Sequence, residues 1–227
     1  MPDLDSRLVT ALQEQRSRRD AALRRGARRV GWKLGMGRRE RIGDHIAIGH
    51  LTTDTVVSPA RRYSPPAGAE DRDLHVDAEL CVELETDIDP EADGAAVREA
   101  IGRCWPALEV VDLSPRAGEP DSIVAENVFH LAVAFAETPI PLESGQQVSV
   151  YVNRERRESA PWPADIPDRI ASAAAIAAAV DERLRAGERI ITGSIIQVQT
   201  AVGDVIQADF GDHASIDVSL IDRDYRT

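Results

Sequence analysis

The chain has 227 residues, of which 43% are hydrophobic and 29% are charged, and its formal net charge is −12 at pH 7. This composition predicts one soluble domain over residues 1–227. The acidic balance argues against a nucleic-acid partner, and no apolar run approaches the roughly 20 residues of a membrane helix, so no membrane partner is expected. Two cysteines are too few for a disulfide framework, and the N-terminus lacks the order of a secretory signal, which predicts a cytoplasmic protein.

The first segment, residues 1–27, is predicted to form a helical arm ahead of a core at residues 28–222. Its leucines recur at every fourth position, as in an amphipathic helix, and Gly26 is expected to end that helix. Residues 16–29 carry seven arginines. Such runs are usually solvated helix faces that pair with acidic surface, and a nucleic-acid or membrane role for this segment is the alternative.

The rest of the chain predicts a β-rich core with two or three covering helices, hence an α+β protein rather than a parallel βαβ repeat. The first expected elements are a strand at 28–35, strands around a loop at 45–59, a loop at 61–73 and a strand at 76–85. Next come a helix at 89–105 ended by Pro106, a strand at 107–113 and a hairpin at 147–157. The last are a helix at 167–187 and strands at 188–221 separated by glycine turns.

Residues 76–85, VDAELCVELE, place four carboxylates on one segment without a Lys or Arg between them. The apolar residues alternate strictly with the others, which is the period of a half-buried strand. The side chains sharing its polar face are Asp77, Glu79, Cys81, Glu83 and Glu85. Two interpretations stay open: a solvated face of an edge strand, or a cation site, because neighbouring like charges on one face repel.

A further carboxylate, Glu109, lies within the apolar segment ALEVVDL and is predicted to be buried on both faces of a strand. An unpaired carboxylate there is costly, so it needs a cation, an arginine or a proton. A structural salt bridge is one explanation. The other is a hard-cation site shared with Asp77 and Glu79, where three carboxylates leave about three of the six positions of Mg²⁺ open.

Lys33, in GWKLG, is either a lysine extending from a strand edge or a general acid–base or anion anchor facing the carboxylates. By strand alternation His75 shares the face of Asp77 and is a candidate neighbour of the metal ligands. His130 is interpreted as a core or surface histidine.

Six blocks in a specific order carry a resemblance to a known family. They are RRVGWKLG, GHLTTD, VDAEL, PALEVVD, DSIVAEN and ITGSIIQVQTAVGDVIQADFGDHASIDVSL. From roughly residue 20 to residue 220 the chain resembles the 2-keto-4-pentenoate hydratase / 4-oxalocrotonate decarboxylase group of the fumarylacetoacetate hydrolase superfamily.

The resemblance implies a mixed β-roll or barrel-like core with covering helices, a divalent ion (Mg²⁺ or Mn²⁺) and a homo-oligomer. It implies that Asp77, Glu79 and Glu109 are the metal ligands, and that Lys33 and Asp54 are catalytic. The expected substrate contacts are the T-G-S turn and one residue from each of two other blocks, namely Thr192, Gly193, Ser194, Leu34 and Asn127.

For the reaction, the resemblance implies a hydratase that adds water to a small 2-hydroxy-2,4-dienoate or 2-oxo-alkenoate. The substrate chelates the ion, an enolate forms, and Lys33 or Asp54 shuttles the proton. Decarboxylation of an oxalocrotonate-like 2-oxo diacid uses the same enolate and is an alternative. A divergent, metal-independent cyclase or isomerase of a biosynthetic pathway is another.

Three departures from the family pattern bear on these expectations. Asp77 is one methylene shorter than the usual Glu, so the ion lies closer to the strand or binds weakly. The block after Lys33 is shorter and lacks the usual Thr and Ser residues. Val128, Phe129 and His130 replace small residues, and their bulk is expected to reshape the pocket.

Overall fold

The computed structural model describes residues 4–36, 41–42, 45–57, 62–66, 72–114, 120–142 and 145–222, without the side chains of residues 41, 42 and 45. Within these ranges the helices are α1 (Ser6–Arg24), α2 (Gly94–Ala100), α3 (Pro120–Ala125) and α4 (Ile166–Ala178). The strands of the first half are β1 (Arg29–Gly35), β2 (Arg41–Ile42), β3 (His45–Thr52), β4 (Arg62–Tyr63), β5 (Leu74–Leu84) and β6 (Ile101–Asp112). Those of the second half are β7 (His130–Phe135), β8 (Gln147–Val152), β9 (Glu155–Pro161), β10 (Arg189–Ile191), β11 (Ile196–Gln199), β12 (Val205–Phe210) and β13 (Ala214–Leu220).

The strands form two mixed sheets. The larger has eight strands in the order β2-β3-β1-β10-β5-β6-β7, with β11 also paired to β5, and the smaller has the order β4-β13-β12-β8-β9. The pairs β1–β10 and β13–β4 are parallel, whereas the other pairs are antiparallel. The predicted α+β class with a rolled, mixed β core is confirmed. No described helix is both long and apolar enough to cross a membrane.

Strand β5 is buried on both faces and lies inside the large sheet, so of the two interpretations of its acidic face, the solvated face of an edge strand is wrong. Its apolar face joins the main core with buried side chains of α1 and α4. On its other face Asp77 and Glu79 are buried as well. At the two ends of that row His75 and Glu83 are half-buried, and Glu83 forms ion pairs with Arg103 and Arg189. Distant arginines therefore supply the countercharge that the local segment lacks.

Helix α1 confirms the predicted N-terminal helix, and Gly26 follows it with φ of +102°. Its leucines pack into the same core as the strands. The arginine-rich segment meets acidic groups of this chain: Arg19 pairs with Glu182 at 2.6 Å, and Arg29 pairs with both Glu182 and Glu188. These contacts support the interpretation of the segment as a charged face paired within the protein.

The predicted helix at 89–105 is right only over its middle, because the observed helix α2 begins at Gly94. Helix α2 ends at Ala100, and β6 begins at Ile101 and continues through Pro106, which lies opposite Leu80 of β5. Pairing with β5 over eleven positions overrides the helical spacing of this segment. Proline lacks an N–H donor but its carbonyl still bonds, here with the amide of Ala136.

The second long helix is also shorter than predicted, since α4 ends at Ala178 rather than near Gly187. The chain then turns through Asp181, whose φ is +58°, and brings Glu182 to the arginines of α1 and β1. A longer helix could not make these buried ion pairs. The hairpin at 147–157 and the C-terminal strands agree with the prediction.

Candidate active site

Three carboxylates meet at the centre of the large sheet. Asp77 and Glu79 point to the same face of β5 because they are two residues apart, and Glu109 of β6 lies directly opposite Asp77. One oxygen of each can be chosen so that all three lie within 4.8 Å of one another. The exposed fractions of the three residues are only 6%, 1% and 0%. This is a buried oxygen cluster of the kind that holds a hard cation.

Burial and repulsion from the other two carboxylates shift the pKa of Glu79. Burial, and then the charges of Glu109 and Asp77, raise its pKa well above 4.5, although Lys33 and the amide of Gly193 oppose this. The Gly193 amide donates to Glu79 Oε2 at 2.8 Å, so the predicted T-G-S turn does adjoin the carboxylates. Gly193 has φ of +95°, and an added Cβ would lie 2.1 Å from Met36 Cγ, so this turn needs glycine.

Lys33 extends from β1 into the same cluster. Its Nζ lies 2.7 Å from Glu109 Oε1 and donates to the carbonyl of Val128 at 2.7 Å. Burial alone would lower the pKa of Lys33, but the charges of Glu109, Glu79 and Asp77 raise it above 10.5. The ammonium is therefore held in its charged form, as an acid or an anion anchor rather than a free base.

Glu109 has a second partner, His130, which the sequence interpretation did not assign to the site. His130 Nδ1 lies 2.6 Å from Glu109 Oε1, and its Nε2 lies 3.0 Å from Thr55 Oγ1. Burial would raise the pKa of Glu109, but Lys33 and His130 lower it. Since an ionised carboxylate only accepts, Nδ1 carries the hydrogen that points at Glu109, while the Thr55 hydroxyl donates to the carbonyl of Thr52 at 3.0 Å. The sequence held one sign that His130 is unusual, namely that it stands where the family that the chain resembles has a small residue.

A cavity of about 580 Å³ opens onto the carboxylates. It is lined by Lys33, Leu34, Gly35, Met36, Asp73, His75, Asp77, Glu79, Glu109, Leu113, Ser194, Ile195 and Gln197. Leu34 and Ser194, two of the residues expected to contact substrate, are thus among the residues that line the cavity. His75 also lines the cavity, and its Nε2 lies 3.0 Å from Asp73 Oδ1. The predicted position of His75 on the carboxylate face agrees with this geometry.

Four other expected site residues, counting Gly193 described above, do not line the cavity. Asp54 is exposed in the turn after β3. Thr192 is buried, and its hydroxyl donates to the carbonyl of Leu80 at 3.0 Å. The Asn127 amide bonds with the backbone of His50 through both its oxygen and its nitrogen. The structure brings the lysine and the three carboxylates together but does not place these residues in the cavity lining.

The three bulky residues after Asn127, namely Val128, Phe129 and His130, do not line the cavity either. Val128 is buried in the main core, and Phe129 packs against that core. The His130 ring faces Glu109. These bulky side chains lie on the side of Lys33 that faces the protein interior. They therefore do not reshape the pocket, contrary to the expectation.

Comparison with solved structures identifies the fold. The structure superimposes on 4-oxalocrotonate decarboxylase from Pseudomonas putida G7, complexed with calcium and acetate, with a TM-score of 0.82 at 23% identity, covering 94% of this chain and 86% of that chain. That enzyme complexed with magnesium and adipate gives a TM-score of 0.82 at 22% identity, covering 97% of this chain and 88% of that chain. A fumarylpyruvate hydrolase from Pseudomonas aeruginosa, in complex with Mn²⁺ and pyruvate, gives 0.61 at 15% identity, covering 86% and 90%. The chain has the fumarylacetoacetate hydrolase fold.

No family model and no curated protein sequence matches the chain. The fumarylacetoacetate hydrolase fold is therefore recognised through its strand arrangement and through short blocks of sequence. Within this fold, the paired strands β5 and β6 carry all three carboxylates, and β1 carries the lysine.

We expect acid to destabilise this fold through His50. Burial, and then the charges of Arg19, His130 and Arg29, lower the pKa of His50 from 6.5 to about 3. Below about pH 6.5 the unfolded chain takes up a proton that the folded chain refuses, so the free energy of unfolding falls by about 1.4 kcal/mol per pH unit down to about pH 3. Chemical denaturation should give about 2 kcal/mol less stability at pH 5 than at pH 7 from this group.

The matched variants are His50→Phe, which removes the buried titrating ring, and His213→Phe, which removes an exposed one. The first should lose most of the pH dependence, and the second should keep it. Equal pH dependence in wild type and His50→Phe would contradict the assignment.

Proposed function

We propose that the protein is a divalent-metal-dependent lyase that acts on a small 2-oxo or 2-hydroxy acid through an enolate, with hydration of a 2-hydroxydienoate as the leading reaction. The observation that carries this is the buried cluster of Asp77, Glu79 and Glu109 with Lys33 at the end of a cavity. Solved structures with this fold are complexed with magnesium and adipate or with Mn²⁺ and pyruvate, which pairs a divalent ion with a small carboxylic acid.

The residues fit Mg²⁺ or Mn²⁺. Asp77, Glu79 and Glu109 would hold the ion through oxygen atoms, and the raised pKa of Glu79 indicates that the cluster lacks compensating charge without one. When bound, the ion supplies a Lewis acid that polarises a 2-oxo group and stabilises negative charge on its oxygen. Asp77 reaches this centre despite its shorter side chain because it lies directly opposite Glu109.

The proposed reaction also needs a proton donor at a defined position, and Lys33 would supply it. Glu109 and the Val128 carbonyl orient its ammonium, and the raised pKa keeps it protonated. It would bind the substrate's anionic oxygen or donate a proton to the carbon chain. Asp54 lies exposed outside the cavity, so we assign the proton transfer to Lys33 alone.

Decarboxylation is the second candidate, because the two best-superimposed structures given above are of a decarboxylase. A diacid substrate would bring a second carboxylate into the cavity. Among its described lining residues, Lys33 is the one lysine or arginine, and Asp73, in contact with His75, adds a further carboxylate. A second carboxylate would be repelled by Asp73, which favours hydration of a monoacid.

Metal-depleted protein supplied with Mg²⁺ should remove the ultraviolet absorbance of a 2-hydroxydienoate without releasing CO₂, and EDTA should abolish the activity. Lys33→Met is the control for catalysis by the site, and it should lose at least about a hundredfold in kcat. Release of CO₂ from an oxalocrotonate-like diacid would select the decarboxylase. If no such acid changes absorbance, the proposed function is wrong.

A further inference from the structure

The backbone beside Lys33 adopts a conformation that its residues disfavour. Asn127, Val128 and Phe129 have φ values of +66°, +55° and +64°, so three consecutive non-glycine residues are left-handed. Asparagine tolerates this region, but a β-branched residue such as Val128 rarely enters it. Strained backbone of this kind persists only where its surroundings impose it, and it concentrates at functional sites.

The consequence of the left-handed turn is the position of one carbonyl. Val128 follows α3, and its side chain is fully buried in the main core. Its carbonyl accepts a hydrogen bond from Lys33 Nζ at 2.7 Å, on the protein side of the lysine. The lysine is therefore held between this carbonyl and Glu109.

Asn127 fastens the turn to the sheet. Its Oδ1 accepts from the His50 amide at 2.8 Å, and its Nδ2 donates to the His50 carbonyl at 3.0 Å. On this edge of β3, β2 pairs with His45 and Ile46 in the part of the chain that the structure describes, and the Asn127 amide bonds to the same edge further along, at His50. The side chain acts as a two-point clamp between the turn and β3.

The neighbouring position on β3 is shaped for the same lysine. Gly49 lies directly opposite Lys33, and a Cβ added there would lie 2.7 Å from Lys33 Cγ and 2.8 Å from Asn127 Oδ1. Only glycine leaves room for the lysine stem and the clamp together. The room left by Gly49, the hydrogen bonds of Asn127 and the carbonyl of Val128 thus all help to position the Lys33 side chain.

We propose that Asn127 is a positioning residue, which clamps the left-handed turn to β3 so that the Val128 carbonyl holds the Lys33 ammonium in its working position. This assigns Asn127 a role through Lys33 instead of the direct substrate contact that the sequence resemblance implied. The catalytic consequence rests on the proposed function, but the position of the ammonium can be measured without any substrate.

Lys33 is the one lysine in the 227-residue sequence. Protein grown with lysine labelled with ¹³C at Cε therefore gives a single lysine side-chain signal in an NMR spectrum, and it reports on this site alone. In wild type the signal should be shifted from that of free lysine, because the ammonium is buried against a carboxylate and a carbonyl. Asn127→Gly keeps the left-handed conformation accessible but removes the clamp.

For Asn127→Gly we expect the signal to move towards free lysine or to broaden, and kcat to fall about tenfold to a hundredfold with KM and Mg²⁺ affinity within about twofold. Asn127→Asp retains the oxygen that accepts from His50, and it should restore part of both properties. An unchanged signal in Asn127→Gly would overturn the proposal. A raised KM with unchanged kcat would also overturn it and restore the role in substrate binding.

Asn153 provides a matched control. It too is left-handed, with φ of +52°, and its amide bonds with Asp204 and with the backbone of Val205, far along the chain from Lys33. Asn153→Gly should lower the melting temperature but leave the lysine signal and kcat unchanged. If both glycine variants have equal effects on stability and neither affects Lys33, Asn127 is merely structural. If wild type processes no 2-oxo acid, the proposed function fails, and the NMR signal still decides the positioning role.

Discussion

Replacing Glu109 by glutamine should produce the largest combined loss of stability and activity. The substitution removes the nearest countercharge of Lys33, whose exposed fraction is only 3%. Stranding a buried cation costs about 3 kcal/mol, which corresponds to a fall of about 6–12 °C in melting temperature for a domain of this size. The variant should also lose the thermal stabilisation by Mg²⁺ and at least about a hundredfold in activity.

A double-mutant cycle separates the two roles of Glu109. Lys33→Met combined with Glu109→Gln removes both charges, so most of the stability should return while the response to Mg²⁺ stays absent. Glu83→Gln is the control on the same strand face, because Glu83 pairs with arginines at the rim and lies outside the cavity. Full Mg²⁺ stabilisation of Glu109→Gln would rule out Glu109 as a ligand.

Glu79→Gln should lose activity by a similar factor without losing stability. Glutamine can still accept from the Gly193 amide, and it removes one of three repelling carboxylates. In the absence of metal at neutral pH, the variant should therefore be at least as stable as wild type. Addition of Mg²⁺ should raise the melting temperature of wild type only.

The pKa of Glu79 predicts how the difference in stability between wild type and Glu79→Gln changes with pH. The folded-state pKa of Glu79 is raised above 4.5, so its contribution to stability is present in full below the unfolded value and is lost as pH rises through the folded value. Metal-free wild type should thus gain stability relative to Glu79→Gln as the pH falls from neutral towards about 4.5. The difference between the two proteins cancels the opposite contribution of His50. A variant markedly less stable than wild type at neutral pH would contradict the repulsion argument.

Sequence patterns predicted some features of the candidate site and left others open. Alternation placed Asp77 and Glu79 on one face, and the apolar neighbours of Glu109 predicted its burial; both agree with the structure. The sequence left a salt bridge and a metal ligand as alternatives for Glu109. The structure shows the salt bridge with Lys33, and it also places one oxygen of Glu109 within 4.8 Å of an oxygen of Asp77 and of Glu79, so the two roles are compatible.

Two errors in the predicted elements have the same physical origin. The helical spacing at 89–105 is a local property, but its second half pairs with β5 along a long strand. Helix α4 ends at Ala178, and the turn after it lets Glu182 pair with Arg19 and Arg29, which come from the other end of the chain. In both cases long-range contacts outweigh local preference.

By itself, the sequence determined the α+β class, most strands, the acidic face of β5 and the burial of Glu109, because periodicity and apolar content act over a few residues. Only the tertiary structure decided the strand order that brings Lys33 to Glu109, and the contact with His130. It also decided the left-handed turn at Asn127 and the exclusion of Asp54 from the cavity. These depend on sheet register and on turns that join residues distant in the chain, and a local pattern carries no information about either.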